Sequence, residues 1–272
     1  LIRDPTISAK FLDRSSDAER FERSIRPSES RPITPAETPA STVSVNRRRS
    51  SNSRLAFIKP LRWFSSSFVI LCTCLVFSLC FHEFAHAVCA FTLGDDTAYR
   101  QNRVNINPLN HLDPLGTIMI LFVGFGWAKP VPVNPLNLNN RNLDIIKVAI
   151  AGPASNLLLA FISGFILRLS FSGTFVLDGD INKILIWFTY INIMLAVFNL
   201  LPIAPLDGSQ VFGSLISKKN PELAWKLQVN GPKILLGLIL IGLLTKVSII
   251  YIILSPFIKF FLYIFIGNTL GL

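Results

Sequence analysis

Residues 64–94 read FSSSFVILCTCLVFSLCFHEFAHAVCAFTLG, an apolar run that is long enough to cross the hydrocarbon core of a bilayer as a helix. Ionisable side chains are rare in such helices, because a charged group at the centre of a bilayer costs about 2.5–3.5 kcal/mol on insertion scales. This run nevertheless carries His82, Glu83 and His86 close together. Ionisable residues in a membrane helix indicate a functional site by default.

The composition of the whole chain is typical of a protein that crosses a membrane several times. Of its 272 residues, 51% are hydrophobic and only 15% are charged, which is too apolar for an ordinary soluble domain. The net charge of +10 is concentrated in residues 1–62, which hold 13 basic and 7 acidic side chains. A basic tail beside the first membrane helix indicates orientation by the positive-inside rule and attraction to the lipid bilayer, and nucleic-acid binding is not expected.

The chain divides into a tail and a membrane domain. Residues 1–62 are rich in Ser, Arg and Pro, show no apolar periodicity, and are predicted to be a disordered tail. Residues 63–272 are predicted to form an all-α polytopic bundle of about five to six transmembrane helices, which makes the chain a multi-pass membrane protein of a cell membrane or an organelle. The four cysteines all lie in the first apolar run and are expected to pack as small apolar residues rather than to form disulfides.

Individual spans follow from the apolar segments. Helices are expected at about 63–93, 143–170 and 181–201, and the apolar region 234–268 predicts either one long span or a span and a shorter segment. The apolar segment 114–126 is short for a full span. It is followed by a loop whose prolines exclude a regular helix and favour extended backbone.

The HEFAH stretch has the pattern of a metal site. His82 and His86 stand at positions i and i+4, so they project from one helix face and can bind one metal ion. Glu83 lies beside them, where it can take a proton from water activated by the metal. This is the HExxH arrangement of zinc peptidases, in which zinc lowers the pKa of water toward about 7 and the carboxylate acts as general base and then as acid. A chance occurrence is the alternative, but two of the three histidines in the chain lie in this motif.

A catalytic zinc needs a third protein ligand and an open position for water. Asp207 in PLDG is the best candidate, and Gly208 after it permits close backbone approach. The same aspartate also suits a helix cap. His111 is the competing ligand, although a loop histidine bonded to Asp113 is the simpler interpretation. Cys89 follows His86 by three residues, and packing explains it better.

Several motifs occur together in one order. HEFAH, FTLGD, NPLNHLDPLGT, FGWAKPVPVNP, AGPASN and FNLLPIAPLDG resemble, in order and spacing, the site-2 protease family of intramembrane zinc metalloproteases, in its compact subclass without PDZ or CBS domain. The resemblance covers residues 78–210. It implies that His82, His86 and Asp207 hold one zinc ion and that Glu83 activates water. It also implies an endopeptidase that cleaves transmembrane segments of membrane proteins, in regulated intramembrane proteolysis.

Two further polar features lie within the same range. The amide of Asn156 either stabilises the oxyanion of the tetrahedral intermediate or makes a hydrogen bond between helices. Asn199 is expected to have a structural role before Pro202. The extended segment 127–133 offers an edge that holds a substrate strand by β-augmentation, or else it is a surface loop.

Two other functions are compatible with a buried metal motif. A catalytically inactive scaffold has no need of the base Glu83, which this chain retains. A metal transporter usually spreads its ligands along a path and is often built from internal repeats, and the sequence shows no repeat.

Overall fold

The computed structural model describes residues 66–123 and 126–267, and the regular elements within these two stretches are all helices. They are α1 (Ser66–Thr92), α2 (Thr97–Arg100), α3 (Pro108–His111), α4 (Pro114–Val123), α5 (Arg141–Phe171), α6 (Gly179–Asn199), α7 (Asp207–Ser217), α8 (Pro221–Thr245) and α9 (Ile249–Ile266). The predicted disordered tail, residues 1–62, lies outside the described residues.

Five helices, α1, α5, α6, α8 and α9, are long and apolar enough to cross a membrane. The prediction of an all-α polytopic bundle is therefore confirmed, with five spans in the described part of the chain. The bounds of α5 and α6 lie within two residues of those expected from the apolar segments. The short segment after residue 113 forms α4, which at ten residues is not among the five.

The last apolar region contains two helices rather than one. Lys246 adopts a left-handed conformation with φ of 61° and ends α8. The Ser248 side chain then caps α9 by accepting a hydrogen bond from the Tyr251 amide at 3.2 Å. Helix α8 begins at Pro221, well before the predicted residue 234. The charged residues Glu222, Lys226 and Lys233 lower the hydropathy of this first part, so an apolar run alone does not reveal it.

Helices α5, α6 and α9 surround the largest buried cluster. Its members are Ala160, Leu167, Ile186, Ile193, Val197, Leu254, Ile258, Leu262 and Ile266. Because lipid chains are as apolar as these side chains, close packing and polar contacts must hold the helices together. Gly164 illustrates the packing, since a Cβ there would lie 2.8 Å from Phe265 Cβ. Ser163 and Thr189 supply a polar contact of 2.7 Å between α5 and α6.

Helix α1 packs against both α5 and α6. Cys74 is buried beside Ile191 and Leu195 of α6. All four cysteines are free thiols.

The long connection between α1 and α5 folds back over the end of α1. Asp95, which is fully buried, accepts hydrogen bonds from the Thr97 amide at 3.1 Å, the Asn134 amide at 2.7 Å and the Asn137 side chain at 3.0 Å. Burial disfavours its charged form, but these bonds outweigh it and hold the pKa of Asp95 below its ordinary value. The carboxylate thereby ties residues 134–137 to the C-terminal end of α1.

We expect Asp95→Asn to lower the melting temperature of the purified protein in detergent by a few degrees near neutral pH. The folded pKa lies below the ordinary value of 3.8, so the carboxylate stabilises the fold above that value, and this stabilisation is lost as the pH falls through the folded pKa. The variant should therefore also lose less stability than wild type below about pH 4. Asp180→Asn is the control, since that side chain is 81% exposed. Equal melting curves for wild type and Asp95→Asn would contradict the role of Asp95.

Candidate metal centre

Helix α1 presents His82 and His86 on one face, one turn apart, with ring centroids 4.6 Å from each other. Only 4% of His82 and 7% of His86 is exposed. Helix α5 lies behind them and supplies a hydrogen-bond acceptor to each ring.

The hydrogen bonds of the two rings determine which nitrogen carries the proton. His86 Nδ1 lies 2.7 Å from the carbonyl oxygen of Val148, which only accepts, so Nδ1 is the protonated atom. Asn156 Nδ2 donates to the carbonyl oxygen of Ser78 at 3.2 Å, which leaves its Oδ1 facing His82 Nδ1 at 2.6 Å. His82 therefore also donates through Nδ1. A neutral imidazole that donates through Nδ1 has its lone pair at Nε2.

Asp207 completes the cluster as the first residue of α7. Its Oδ2 lies 3.1 Å from His82 Nε2 and 3.4 Å from His86 Nε2. An aspartate is ordinarily ionised near neutral pH, so this oxygen adds a third lone pair to those of the two Nε2 atoms.

Gly208 explains how Asp207 reaches this position. A Cβ at residue 208 would lie 2.3 Å from the carbonyl oxygen of Leu200 and 2.4 Å from that of Leu201. The first turn of α7 therefore packs directly on the C-terminal end of α6. This contact demonstrates the close backbone approach that was expected from LDG.

The converging atoms are all electron-pair donors. The two Nε2 atoms are 3.0 Å apart, and with the Asp207 oxygen they form the one such group of His, Cys, Asp or Glu in the described stretches. The Nδ1 protons of both rings are directed away from the centre. The two Nε2 atoms and the Asp207 oxygen therefore repel one another unless a cation lies between them. Ligands of a tetrahedral zinc ion are about 3.3 Å apart for bonds of about 2.0–2.1 Å. The observed separations of 3.0–3.4 Å fit this value.

Gly152 of α5 keeps the centre open. A Cβ at this residue would lie 2.3 Å from His86 Nε2 and 2.6 Å from His82 Nε2, which is close to the length of a zinc–nitrogen bond. A side chain at residue 152 would therefore fill the volume that a metal ion needs. Two imidazole nitrogens and one carboxylate oxygen are also a usual set of protein ligands for catalytic zinc.

Glu83 does not belong to the ligand cluster but lies next to it in sequence. It is partly buried, and its Oε2 accepts a hydrogen bond of 3.0 Å from the Val131 amide. This contact brings the proline-rich loop to the side chain that is predicted to act as the base.

Other residues considered from the sequence lie elsewhere. His111 is 1% exposed and its Nε2 bonds to the carbonyl oxygen of Asn105 at 2.7 Å. The suggested bond to Asp113 is wrong, because His111 Nδ1 has no hydrogen-bond partner in the described stretches and Asp113 Oδ1 accepts from the Gly116 amide. Cys89 packs beside the cluster of Ala90, Leu138 and Val148. Asn199 donates to the Leu195 carbonyl oxygen within α6 at 3.0 Å.

The sequence analysis missed several residues that support the histidines. Asn192 of α6 accepts from Asn156 at 2.9 Å and donates to the Ser78 hydroxyl at 2.9 Å, and it is fully buried. An asparagine within the apolar run FTYINIMLAVF was the available signal for it. Nothing in the sequence indicated that Gly152 and the Val148 carbonyl would face the histidines, because that depends on how α5 is rotated against α1.

Residues 127–133, called the proline segment below, have two amides that are already paired within the chain. The Lys129 amide donates to the His111 carbonyl oxygen at 2.7 Å and the Val131 amide donates to Glu83, while Pro130 and Pro132 have no amide hydrogen. A substrate strand would have to displace these contacts to pair with either donor. Ala128 forms an isolated antiparallel bridge with Leu112.

Comparisons with known proteins agree with a metalloprotease centre. The sequence pattern of peptidase family M50 matches residues 173–241, which include Asp207. The chain is 44% identical over 146 residues to YwhC of Bacillus subtilis, covering 52% of this chain and 67% of the relative. It is 30% identical over 178 residues to Rip2 of Mycolicibacterium smegmatis, covering 61% of this chain and 62% of the relative. Both relatives are named as putative zinc metalloproteases.

A third relative is a zinc metalloprotease of Methanocaldococcus jannaschii, which is 35% identical over 117 residues. That match covers 42% of this chain and 33% of the relative, so the chain spans only about a third of its length. No solved structure matches the chain.

We expect Gly152→Ala to remove bound zinc from the purified protein, because the added methyl group would lie 2.3 Å from His86 Nε2 and 2.6 Å from His82 Nε2 and must displace both rings. Zinc per protein is measured by elemental mass spectrometry. Gly237→Ala on α8 is the matched control, since a Cβ there meets nothing within 4 Å. A folded Gly152→Ala protein with the zinc content of wild type would show that the ion does not lie between these residues.

Proposed function

The chain belongs to peptidase family M50, and from this premise we propose that it is an intramembrane zinc endopeptidase that hydrolyses peptide bonds in or near transmembrane segments of other membrane proteins. Membership makes it a zinc metalloprotease, and its five apolar helices make it an integral multi-pass membrane protein. The observation that carries the finer proposal is the convergence of His82, His86 and Asp207, with Glu83 beside them, inside this bundle.

In this proposal His82, His86 and Asp207 hold a single zinc ion. When bound, zinc supplies Lewis acidity at the scissile carbonyl and lowers the pKa of water to near neutrality. The donor atoms themselves support this proposal. Three electron-pair donors converge within 3.4 Å, and the Nδ1 protons of the two histidines are directed outward.

Glu83 acts as the general base. Its carboxylate takes a proton from the water that attacks the peptide carbonyl carbon, and the same proton then passes to the nitrogen of the departing amine as the carbon–nitrogen bond breaks. Each turnover thus returns Glu83 to its ionised form. The hydrogen bond from Val131 supports this role, because it fixes the orientation of the carboxylate.

Asn156 is proposed to position His82 rather than to contact the substrate. Its side chain is fully buried, its oxygen faces His82 and its nitrogen donates to Ser78 and Asn192. These contacts favour the hydrogen bond between helices over an oxyanion role, since the amide would have to leave all three partners to reach a substrate. Partners of this kind fix the ring orientation and tautomer of a metal-binding histidine.

The membrane domain from residue 63 onward is proposed to carry the whole catalytic unit. Its helices leave large apolar side chains exposed, such as Phe77, Leu158 and Phe161, which suits lipid contact. A substrate that approaches within the bilayer is a transmembrane protein. Its helix must unwind locally before cleavage, because helical hydrogen bonds and side chains shield the peptide bonds.

Two variants separate metal binding from proton transfer. We expect Asp207→Ala to lose most of its zinc, because one of three ligands is removed. We expect Glu83→Gln to keep its zinc and to lose cleavage by at least about 10²-fold, the usual contribution of a general base. Zinc is measured by elemental mass spectrometry. Cleavage is measured in proteoliposomes that also contain single-span membrane proteins, by identifying new C-termini that carry ¹⁸O from labelled water.

The outcomes of this experiment are distinct. Zinc retained in Asp207→Ala would exclude that residue as the third ligand. New C-termini produced equally by wild type and Glu83→Gln would exclude Glu83 as the base. A zinc-loaded wild type that yields no new C-termini from any membrane protein would overturn the proposed substrate class.

The role of Asn156 has its own test. Asn156→Leu removes the acceptor that fixes the His82 tautomer, and we expect zinc affinity to fall by about 10–100-fold, as for other residues that support metal ligands. Affinity is measured by competition with a fluorescent chelator. Ser163→Ala is the control, because it also removes a buried hydrogen bond between α5 and α6 but lies away from the histidines. Unchanged zinc affinity in Asn156→Leu would leave the residue a helix-packing role only.

A further inference from the structure

Glu83 has one hydrogen bond to the described stretches of the chain, and its donor lies in the proline segment. The Val131 amide reaches Glu83 Oε2 at 3.0 Å. Pro130 and Pro132 flank Val131, so neither neighbour has an amide that could replace it. The orientation of the Glu83 carboxylate therefore depends on where the proline segment is held.

Arg103 holds this segment from a neighbouring loop. It is only 5% exposed, and its Nη2 donates to the carbonyl oxygens of Lys129 at 2.6 Å and of Pro130 at 3.4 Å. None of the ion pairs within the described residues includes Arg103, and its buried Nε has no hydrogen-bond partner there. Burial of an unpaired guanidinium is costly, so this side chain is placed to bind backbone carbonyls rather than an acid.

The loop that carries Arg103 is itself fixed. The Arg103 amide donates to the Ala98 carbonyl oxygen at 2.9 Å, and the side chains of Asn105 and Asn110 both donate to the Asn102 carbonyl oxygen. Asn102 adopts a left-handed conformation with φ of 53°, which asparagine tolerates better than most residues. Arg103 is thus a firm anchor and not a mobile surface side chain.

His111 fixes the other side of Lys129. Its carbonyl oxygen accepts from the Lys129 amide at 2.7 Å, while its buried ring bonds to Asn105 in the Arg103 loop. Lys129 is therefore held through its amide by His111 and through its carbonyl by Arg103. Val131 lies two residues further along, so this double anchor sets the position of the amide that meets Glu83.

We propose that Arg103 is a positioning residue for the catalytic base, which acts by holding the Lys129 and Pro130 carbonyls so that the Val131 amide keeps Glu83 directed at the metal centre. This inference rests on the proposed function of Glu83. Without the guanidinium, the proline segment loses an anchor at two carbonyls, and the carboxylate loses its defined orientation. The zinc ligands lie on α1 and α7 and do not contact Arg103, so zinc binding is unaffected.

The kinetic test compares Arg103→Gln, Arg103→Lys and the control Arg100→Gln, which removes a nearby but exposed charge. We expect Arg103→Gln to lower kcat for cleavage in proteoliposomes by about 10–100-fold, since small displacements of a catalytic group have effects of this size. Zinc content and KM should stay within about twofold of wild type if the defect is confined to the transition state. Arg103→Lys should recover part of the loss, because an ammonium still binds a carbonyl.

Val131→Pro provides a second route to the same contact, because proline has no amide hydrogen to donate to Glu83. It should reproduce the loss of kcat with zinc retained. Arg103→Gln and Val131→Pro together should be no worse than the more severe single variant, because both act through one hydrogen bond. Wild-type kcat in Arg103→Gln, or losses that multiply in the double variant, would overturn the proposal.

Hydrogen exchange gives a readout that does not need activity. Arg103→Gln should accelerate deuterium uptake by peptides that cover residues 127–133 and leave uptake in α5 unchanged, whereas Arg100→Gln should change neither. Equal uptake at residues 127–133 in wild type and Arg103→Gln would overturn the anchor. Absence of cleavage by wild type would instead count against the proposed protease function, and the exchange result would still decide whether Arg103 holds the segment.

Discussion

The Nε2 atoms of His82 and His86 and an Asp207 oxygen are three electron-pair donors. They lie within 3.4 Å of one another, and the Nδ1 protons of both rings are directed away from them. Such an arrangement is repulsive unless a cation lies at its centre. Several elements are placed to produce it. Helix α1 supplies the two rings, α5 accepts their Nδ1 protons, and the junction of α6 and α7 brings in the carboxylate. The fold around the centre follows largely from this requirement.

The contacts that hold the bundle together also shape the metal centre. Between membrane helices, close approach at small residues and polar contacts replace the hydrophobic effect. Gly208 allows α7 to begin against the last turn of α6, and Gly152 allows α5 to approach the two imidazoles. The hydrogen bonds that link Ser78, Asn156 and Asn192 join α1, α5 and α6, and they end on His82. A change in helix packing would therefore also move a ligand.

The contacts that hold Glu83, the proposed base, differ from those that hold the proposed ligands. His82 and His86 are fixed by helix–helix contacts, whereas Glu83 depends on the loop that contains Val131. That loop is in turn fixed by Arg103 and His111, and the loop before α5 is fixed by Asp95. His111, considered from the sequence as a metal ligand, belongs to this second group.

The sequence alone determined the class of the protein and predicted the residues of its candidate metal centre. Long apolar runs predict membrane helices because every backbone group in lipid must be paired within the segment. The i, i+4 spacing places His82 and His86 on one helix face, because the helix repeat is itself a local property. The ordered motifs indicated the family and Asp207 as the third ligand. Where charged residues interrupt an apolar run, as at the start of α8, the same reasoning placed the helix start too late.

Only the tertiary structure decided which atoms meet. It brought Asp207 to histidines more than a hundred positions earlier, placed Asn156 behind His82, and gave Glu83 a partner in a loop 48 residues away. It also separated His111 from the metal centre. These contacts depend on the rotation and depth of each helix against its neighbours. Glycine contacts and buried hydrogen bonds between distant segments determine both. Local periodicity does not encode that information, because the same apolar helix can present any of its faces to a partner.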